Sequence, residues 1–436
     1  RPRLKRPAHP AFFSTPDLPA CAHYPLFRTV PTFSKSRIVG AVEIGTTKVT
    51  VLVGEVAGPS LNVIGFGEFP SRGIVKGMVV DSKAAGEATH RAIDGAEKTA
   101  GARLQQVFLA QSGAHIDGFY HEASVNVGGL EGRVSQFDID NVYKLAKHKA
   151  LPAGRCIIHY LRRPFYLDGK LNPSPEEIRG DRLSVGVWHV HGDQHRIADN
   201  VHIIRNFNLP VSELVLSGLA AGNILTTPEE RQHGVLVIDL GGGTTDFAYY
   251  RQGRACLAGV VAVGGSHLTN DLALGLRITE SQAEKMKLLH ARATITAKDR
   301  ADSVWLNGDM GIGDRRFPRM TIEQIAAART RETLEVVRKK LGSLYSPAET
   351  MAGVVLTGGA SALPGIEDAA SRVFEVPARV GTPHVEVIES LRQPSCSTAL
   401  GLLHQGISQQ HEANALQSQS GLGAKFKNFL DRIASV

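Results

Sequence analysis

The sequence predicts an α/β protein of two lobes built on one repeated plan. Ile38-Val39-Gly40-Ala41-Val42-Glu43-Ile44-Gly45-Thr46-Thr47-Lys48 runs from a hydrophobic strand through an acid into Gly-Thr-Thr. About two hundred residues later, Val235-Leu236-Val237-Ile238-Asp239-Leu240-Gly241-Gly242-Gly243-Thr244-Thr245-Asp246 repeats that plan with three glycines and a second acid. Around both motifs, strand and helix patterns alternate, which is the mark of α/β layering.

Taken in order, strands are expected at 38–44, 49–56, 61–68, 105–110, 185–191, 213–217, 234–239, 245–250, 255–262 and 352–357. Helices are expected at 81–101, 138–149, 194–206, 217–226, 267–274, 280–288, 321–341 and 363–374. The helix at 321–341 rests on Ile322, Ile325, Ala326, Leu334, Val337 and Leu341 at helical spacing. Residues 291–318 mix Gly, Asp and Arg without a period and read as a loop-rich insertion.

The chain of 436 residues is long enough for two or more domains with sizeable cores, and 42% hydrophobic content is ordinary for a globular protein. It has no run of eighteen apolar residues, so no membrane-spanning helix is expected. The net charge is +7, but residues 1–37 carry seven basic side chains against the single acid Asp17. The remaining body is close to neutral, which argues against a nucleic-acid groove and predicts no nucleic-acid partner. Residues 1–36 are interrupted by Pro10, Pro16, Pro19, Pro25 and Pro31 and read as a disordered basic arm. Cys21, Cys156, Cys256 and Cys396 are isolated, so incidental, reduced thiols in a cytosolic protein are the expectation.

The chemistry lies in the glycine turns. Without Cβ atoms, their backbone N–H groups can close around phosphate oxygens. A carboxylate at the end of the preceding strand can hold hydrated Mg²⁺, a hard cation that keeps its waters. Two such turns imply a duplicated fold clamping one nucleotide. A third motif, Val354-Val355-Leu356-Thr357-Gly358-Gly359-Ala360-Ser361-Ala362-Leu363-Pro364-Gly365, runs from a strand into a Gly-Gly turn that lets backbone approach an adenosine, with a helix starting near Pro364.

These motifs, with connecting segments Ser217-Gly218-Leu219-Ala220-Ala221-Gly222 and Ser397-Thr398-Ala399-Leu400-Gly401-Leu402-Leu403, resemble in order the actin, Hsp70 and sugar-kinase superfamily. Glu43 stands where many members have Asp. Within that superfamily, Ser71-Arg72-Gly73-Ile74-Val75-Lys76-Gly77 resembles the SRG-x-x-KG segment of the FtsA family of bacterial cell-division proteins. Gly264-Gly265-Ser266-His267-Leu268-Thr269-Asn270-Asp271 and Ala283-Glu284-Lys285-Met286-Lys287 agree with it, and the resemblance spans about residues 37–408.

The resemblance implies a two-lobed actin-like (ribonuclease-H-like) ATPase fold with an inserted α+β subdomain 1C. It divides the chain into subdomain 1A at 37–112 and 195–232, 1C at 113–194, 2A at 233–265 and 350–393, 2B at 266–349 and a closing helix at 394–408. It implies ATP with Mg²⁺: Asp239 as the ligand of a Mg²⁺-bound water, Glu43 its partner across the cleft. Gly45, Thr46, Thr47, Lys48, Gly241, Gly242, Gly243 and Thr244 would lie around the phosphates, Glu284 and Lys287 at ribose and base, and Gly358 and Gly359 at the adenosine. Relatives with active hydrolysis carry Glu or Gln at the start of the first connecting helix. Gly218-Leu219-Ala220-Ala221 offers neither, so no catalytic residue is assigned and at most slow turnover is expected.

The resemblance also implies partners: the C-terminal peptide of the tubulin-like protein FtsZ, other divisome proteins, and further copies of the chain in a filament. Arg329 and Glu332 match charged family positions for the FtsZ contact, although Thr330 replaces the family's common Tyr. Residues 409–422 are rich in Gln, Ser, Asn and Ala and read as a flexible linker. Beyond it, 423–436 places Phe426, Phe429, Leu430 and Ile433 at i, i+3, i+4 and i+7, an amphipathic helix suited to inner-membrane lipids. Four apolar side chains contribute at most roughly 1.5–3 kcal/mol each. One copy would therefore bind weakly, and alignment in a polymer would raise avidity by about 10²–10⁴. The expected location is the cytoplasmic face of the membrane at the septum. Rival readings are a pilus-assembly actin-like protein and a small-molecule kinase of the same superfold.

Overall fold

A computed structural model describes residues 38–56, 61–296, 302–306 and 314–409. The N-terminal arm, the linker from 410 onward and the amphipathic tail with Phe426, Phe429, Leu430 and Ile433 lie outside them. β1 (Ile38–Ile44) and β2 (Lys48–Glu55) form an antiparallel hairpin, and β3 (Asn62–Pro70) pairs with β2. Val39, Ala41, Val49, Val51, Leu52 and Val53 are all fully buried, as near-continuous apolar runs require when both sheet faces are covered. A small hairpin of β4 (Ile74–Val75) and β5 (Met78–Val79) leads into α1 (Ser82–Ala100). The Asp81 carboxylate accepts the Lys83 and Ala84 N–H groups at 3.0 Å and starts α1; Gly101, at φ 61°, ends it. Its buried stripe of Ala85, Ala88, Ala92, Ile93 and Ala96 packs on the β2–β3 side of the sheet. β6 (Val107–Gln111) then joins β1 in parallel.

A separate antiparallel sheet follows. It contains β7 (Asp117–Asn126), β8 (Arg155–Leu167), β9 (Lys170–Leu171) and β10 (Arg182–Asp193), in the order β7-β10-β8-β9, with α2 (Gln136–Lys147) packed against it. α3 (Gln194–Arg205) returns the chain to β11 (Val211–Leu216), which lies parallel to β6. The first large sheet therefore reads β11-β6-β1-β2-β3.

α4 (Ser217–Leu225) and α5 (Pro228–His233) lead to the second large sheet. This begins with β12 (Val235–Leu240), β13 (Thr245–Arg251) and β14 (Arg254–Val261). α6 (Gly265–Leu276), α7 (Glu280–His290), β15 (Ser303–Leu306), β16 (Arg315–Pro318) and α8 (Arg319–Leu341) intervene. β17 (Val354–Thr357), α9 (Ile366–Phe374) and β18 (Ala378–Val380) complete it. The order β14-β13-β12-β17-β18, two antiparallel pairings followed by two parallel ones, repeats the first sheet strand for strand. This is the duplication the two sequence motifs predict.

α4 and a last helix, α10 (397–409), lie between the two sheets in one shared core with Val39, Ala41, Val237 and Ala248. They cross so closely that a Cβ on Gly401 would stand 1.8 Å from the Ala220 carbonyl oxygen, which only glycine avoids.

Some expectations are corrected. The stretch 291–318 is not all loop: β15 and β16 pair within it, burying Val304, Leu306 and Phe317 against the α6–α8 cluster. α9 begins at Ile366 rather than 363, because Gly365 at φ 82° cannot continue a helix from Pro364. The Ser135–Asp138 capping box starts α2 at Gln136 instead of 138. β4, β5, β7, β9 and β18 have no counterpart among the strands expected from the sequence. Cys256 and Cys396 are free and buried, as expected, whereas Cys156 is disulfide-bonded.

Candidate functional site

The ends of β1 and β12 meet across a cleft. Each turn closes with the same bond: Gly45 N–H donates to the Lys48 carbonyl and Gly241 N–H to the Thr244 carbonyl, both at 3.0 Å. The turns touch. A Cβ on Gly242 would lie 2.4 Å from Thr47 Cγ2, and one on Gly243 2.4 Å from Thr46 Oγ1. From behind, the first amides of α6 bind the second turn, Gly265 N–H to the Gly241 carbonyl at 2.9 Å and Ser266 N–H to the Gly242 carbonyl at 2.8 Å. In a trans peptide the N–H opposes the C=O. The N–H groups of Gly242 and Gly243 therefore face away from α6.

The third turn closes on the second. Gly358 adopts φ 83°, and a Cβ there would sit 2.2 Å from Asp239 Oδ1. Gly359 has open space where its Cβ would be. α10 fixes the arrangement from its first turn: Thr398 Oγ1 donates to Asp239 Oδ2 at 2.7 Å, and Ser397 bonds Thr357 at 2.9 Å.

These elements enclose a cavity of about 390 Å³. Every residue predicted for nucleotide contact borders it: Glu43, Gly45, Thr46, Thr47, Lys48, Asp239, Gly241, Gly242, Gly243, Thr244, Glu284, Lys287, Gly358 and Gly359. Lys48 bonds Glu68 at 2.5 Å and Ser395 at 3.3 Å. Glu284 and Lys287 lie one turn apart on α7, Lys287 largely buried and Glu284 partly exposed. They pair at 2.7 Å, and Thr269 of α6 bonds both, at 2.5 Å to Glu284 and 2.9 Å to Lys287. Leu268, Leu363 and Ile366 form an apolar wall beside them.

Three acids stand at the centre of the cavity with too little compensation. Asp239 and Asp246 are buried, and Asp246 Oδ1 and Glu43 Oε2 have no hydrogen-bond partner. Burial, then the charge of Asp239, raises the Glu43 pKa to about 8 against the pull of Lys48. Burial also raises Asp239, opposed by the Thr398 hydroxyl. Asp246 is pushed well above the ordinary range by burial and by Asp239, although Ser112 donates to it at 2.6 Å. Such a cluster fits a divalent cation, which would favour the ionised forms. Among the described residues no three side chains converge closely enough to grip a metal directly. The donor set therefore suits a cation held through water and phosphate oxygens, as Mg²⁺ prefers.

At the start of α4, Ser217 borders the cavity. A Cβ at Gly218 would stand 3.0 Å from the Phe247 backbone, so no acid or amide fits at that position without displacing β13. Arg329 borders the cavity too, holding Asp271 of α6 through two nitrogens and Glu332 through the third at 2.7 Å. Glu332 is the more exposed of the pair. The sequence reading gave no role to Asp246, Ser112 or Thr398. Asp246 closes the glycine motif itself, but Thr398 lies 159 residues from the acid it holds and carries no local signal.

Residues 236–401 match the family model for cell division protein FtsA, and residues 113–191 match that for the SHS2 domain inserted in FtsA. The chain is 32% identical over 413 residues to cell division protein FtsA of Neisseria meningitidis serogroup B, covering 91% of this chain and 99% of that protein. It is 31% identical over 412 residues to cell division protein FtsA of Escherichia coli K12, covering 92% and 97%. Among solved structures it is similar to the PilM–PilN type IV pilus biogenesis complex, with TM-score 0.56 and 19% identity over 86% of this chain and 99% of that one. It is also similar to MreB5 of Spiroplasma citri bound to ADP, with TM-score 0.51 and 13% identity over 88% and 99%. At those identities the two structures speak to fold alone, two actin-like α/β lobes, while the inserted module rests on the SHS2 match.

Proposed function

The chain belongs to the FtsA family of cell-division proteins, and on that premise we propose that it is an ATP-binding filament-forming adaptor that tethers FtsZ filaments to the cytoplasmic face of the cell membrane at the division septum. One observation carries the nucleotide part: two glycine turns from separate lobes meet over three undercompensated acids, two of them buried. In this reading Gly241, Gly242, Gly243 and Thr244, with Gly45, Thr46, Thr47 and Lys48, hold the phosphates. Asp239 and Glu43 orient the waters of Mg²⁺, which when bound neutralises phosphate charge. Glu284 and Lys287 take the ribose and base edge, and Gly358 and Gly359 face the adenosine. The glycine at Gly218 supports a role for ATP as structural ligand and assembly switch over rapid turnover.

The adaptor part rests on family membership and on the sequence. Arg329 and Glu332 are proposed to meet the FtsZ C-terminal peptide, with other divisome proteins as further partners. Phe426, Phe429, Leu430 and Ile433 are proposed to insert into inner-membrane lipid once self-association aligns many copies. Calorimetry with an FtsZ C-terminal peptide tests the first: micromolar-range affinity is expected, weakened by Arg329→Ala. No heat with the unaltered chain would overturn it. Liposome co-sedimentation of the intact chain against one truncated at Gly421 tests the second, where equal pelleting would remove the anchor.

A further inference from the structure

The segment Ser71–Gly77 has no part in the site as described so far, yet it ends there. β4 and β5 are joined by the two residues Lys76 and Gly77, at φ 50° and 71°. Tight two-residue hairpins of the primed type need positive φ at both places. Glycine adopts it freely, whereas lysine seldom does, and such outliers cluster at ligand clamps. The hairpin is tied to the first phosphate turn: Ser71 N–H donates to the Thr47 carbonyl at 2.9 Å and Gly77 N–H to Thr46 Oγ1 at 3.0 Å. Ala114 N–H holds the Lys76 carbonyl at 3.0 Å. The tip also reaches the other lobe, since a Cβ on Gly243 would stand 3.0 Å from Lys76 Cα.

Lys76 is thus carried by the first lobe to the place where both glycine turns meet, and Gly77 borders the cavity. Its side chain is half-buried, and its ammonium has no partner among the described residues. His267 of α6 lies in reach, with Arg329 and its partner Asp271 beyond it; burial, then Lys76 and Arg329, hold the His267 imidazole below its ordinary range, so that it stays uncharged at neutral pH. A half-buried lysine with no carboxylate bonded to it is placed to meet an anion. Glu284, Lys287 and the apolar wall mark the nucleoside end of the cavity, so the junction of the turns is where the far end of a phosphate chain arrives.

We propose that Lys76 contacts the terminal phosphate of the bound nucleotide, so that the cleft favours a triphosphate over a diphosphate. This rests on the nucleotide reading above. A lysine binds phosphate as a compact point charge, and a contact made from one lobe to a phosphate seated on the other ties lobe closure to the presence of that phosphate.

The test is titration of the full chain with ATP and, separately, ADP, each with magnesium, for wild type, Lys76→Asn and Lys76→Gly. Asparagine and glycine both accept positive φ, so the hairpin survives, which thermal melts check. Both variants are expected to weaken ATP by about tenfold and to leave ADP within about twofold. Equal weakening of both nucleotides, or no change in either, would mean the hairpin is scaffolding and would overturn the proposal. If the wild type took up neither nucleotide, the underlying reading would fall first and this one with it.

Discussion

Glu43→Gln should make the nucleotide-free protein less sensitive to alkaline pH. The Glu43 carboxyl ionises near 4.5 in an unperturbed chain and at about 8 in the fold. Between those values the native state keeps a proton that the unfolded chain has lost. Stability contributed by the group therefore falls as pH rises through that window. Each pH unit is worth about 1.4 kcal/mol while only the unfolded form is ionised. From pH 6 to pH 8 the loss comes to about 2 kcal/mol, because native Glu43 is half ionised at the upper end. Glutamine cannot titrate and removes this slope. Any packing cost of its amide is the same at both pH values and cancels in the difference. Asp239 and Asp246 are also raised and remain, so the variant's profile should be shallower, not flat. Denaturant unfolding of wild type and variant at pH 6 and pH 8, without nucleotide or magnesium, measures this. Parallel profiles for the two proteins would show that Glu43 is ionised already at pH 6 and that the acids are not undercompensated.

Three further outcomes are expected, two from the same geometry and one from the sequence of the tail. Asp239→Asn should cut magnesium-dependent ATP affinity by at least about tenfold while changing magnesium-free binding less, as calorimetry with and without chelator would show. Gly401→Ala should destabilise the fold by roughly 3 kcal/mol or more, since its methyl meets a backbone carbonyl that cannot step aside; an unchanged melting midpoint would contradict the α4–α10 crossing. Phe429→Asp with Leu430→Asp should abolish liposome pelleting and leave nucleotide affinity untouched, and loss of both would point to a tail docked on the protein body.

The repeated plan was legible because each phosphate turn is local: strand, acid and glycines lie within a dozen residues of one another. The glycines at Gly242 and Gly243 proved to face the other lobe's threonines, so the same residues report the turn and the contact between lobes. Glu284 and Lys287 could not be told from a solvated helix face until Thr269, on another helix, was seen to bond both. Thr398 was invisible for the same reason at longer range. The β15–β16 hairpin escaped because its strands are four residues each, too short for alternation to stand out among flanking Gly, Asp and Arg. The start of α9 was misplaced because Pro364 favours a first helical turn, while Gly365 takes a left-handed conformation that delays it.

The central claim is that two lobes close one nucleotide over buried acids, and calorimetric titration of the full chain with ATP and magnesium tests it most directly. Saturable one-to-one binding that weakens on chelation of magnesium, and again in Asp239→Asn, is the predicted result. No heat of binding to either ATP or ADP, from protein that melts cooperatively, would contradict it.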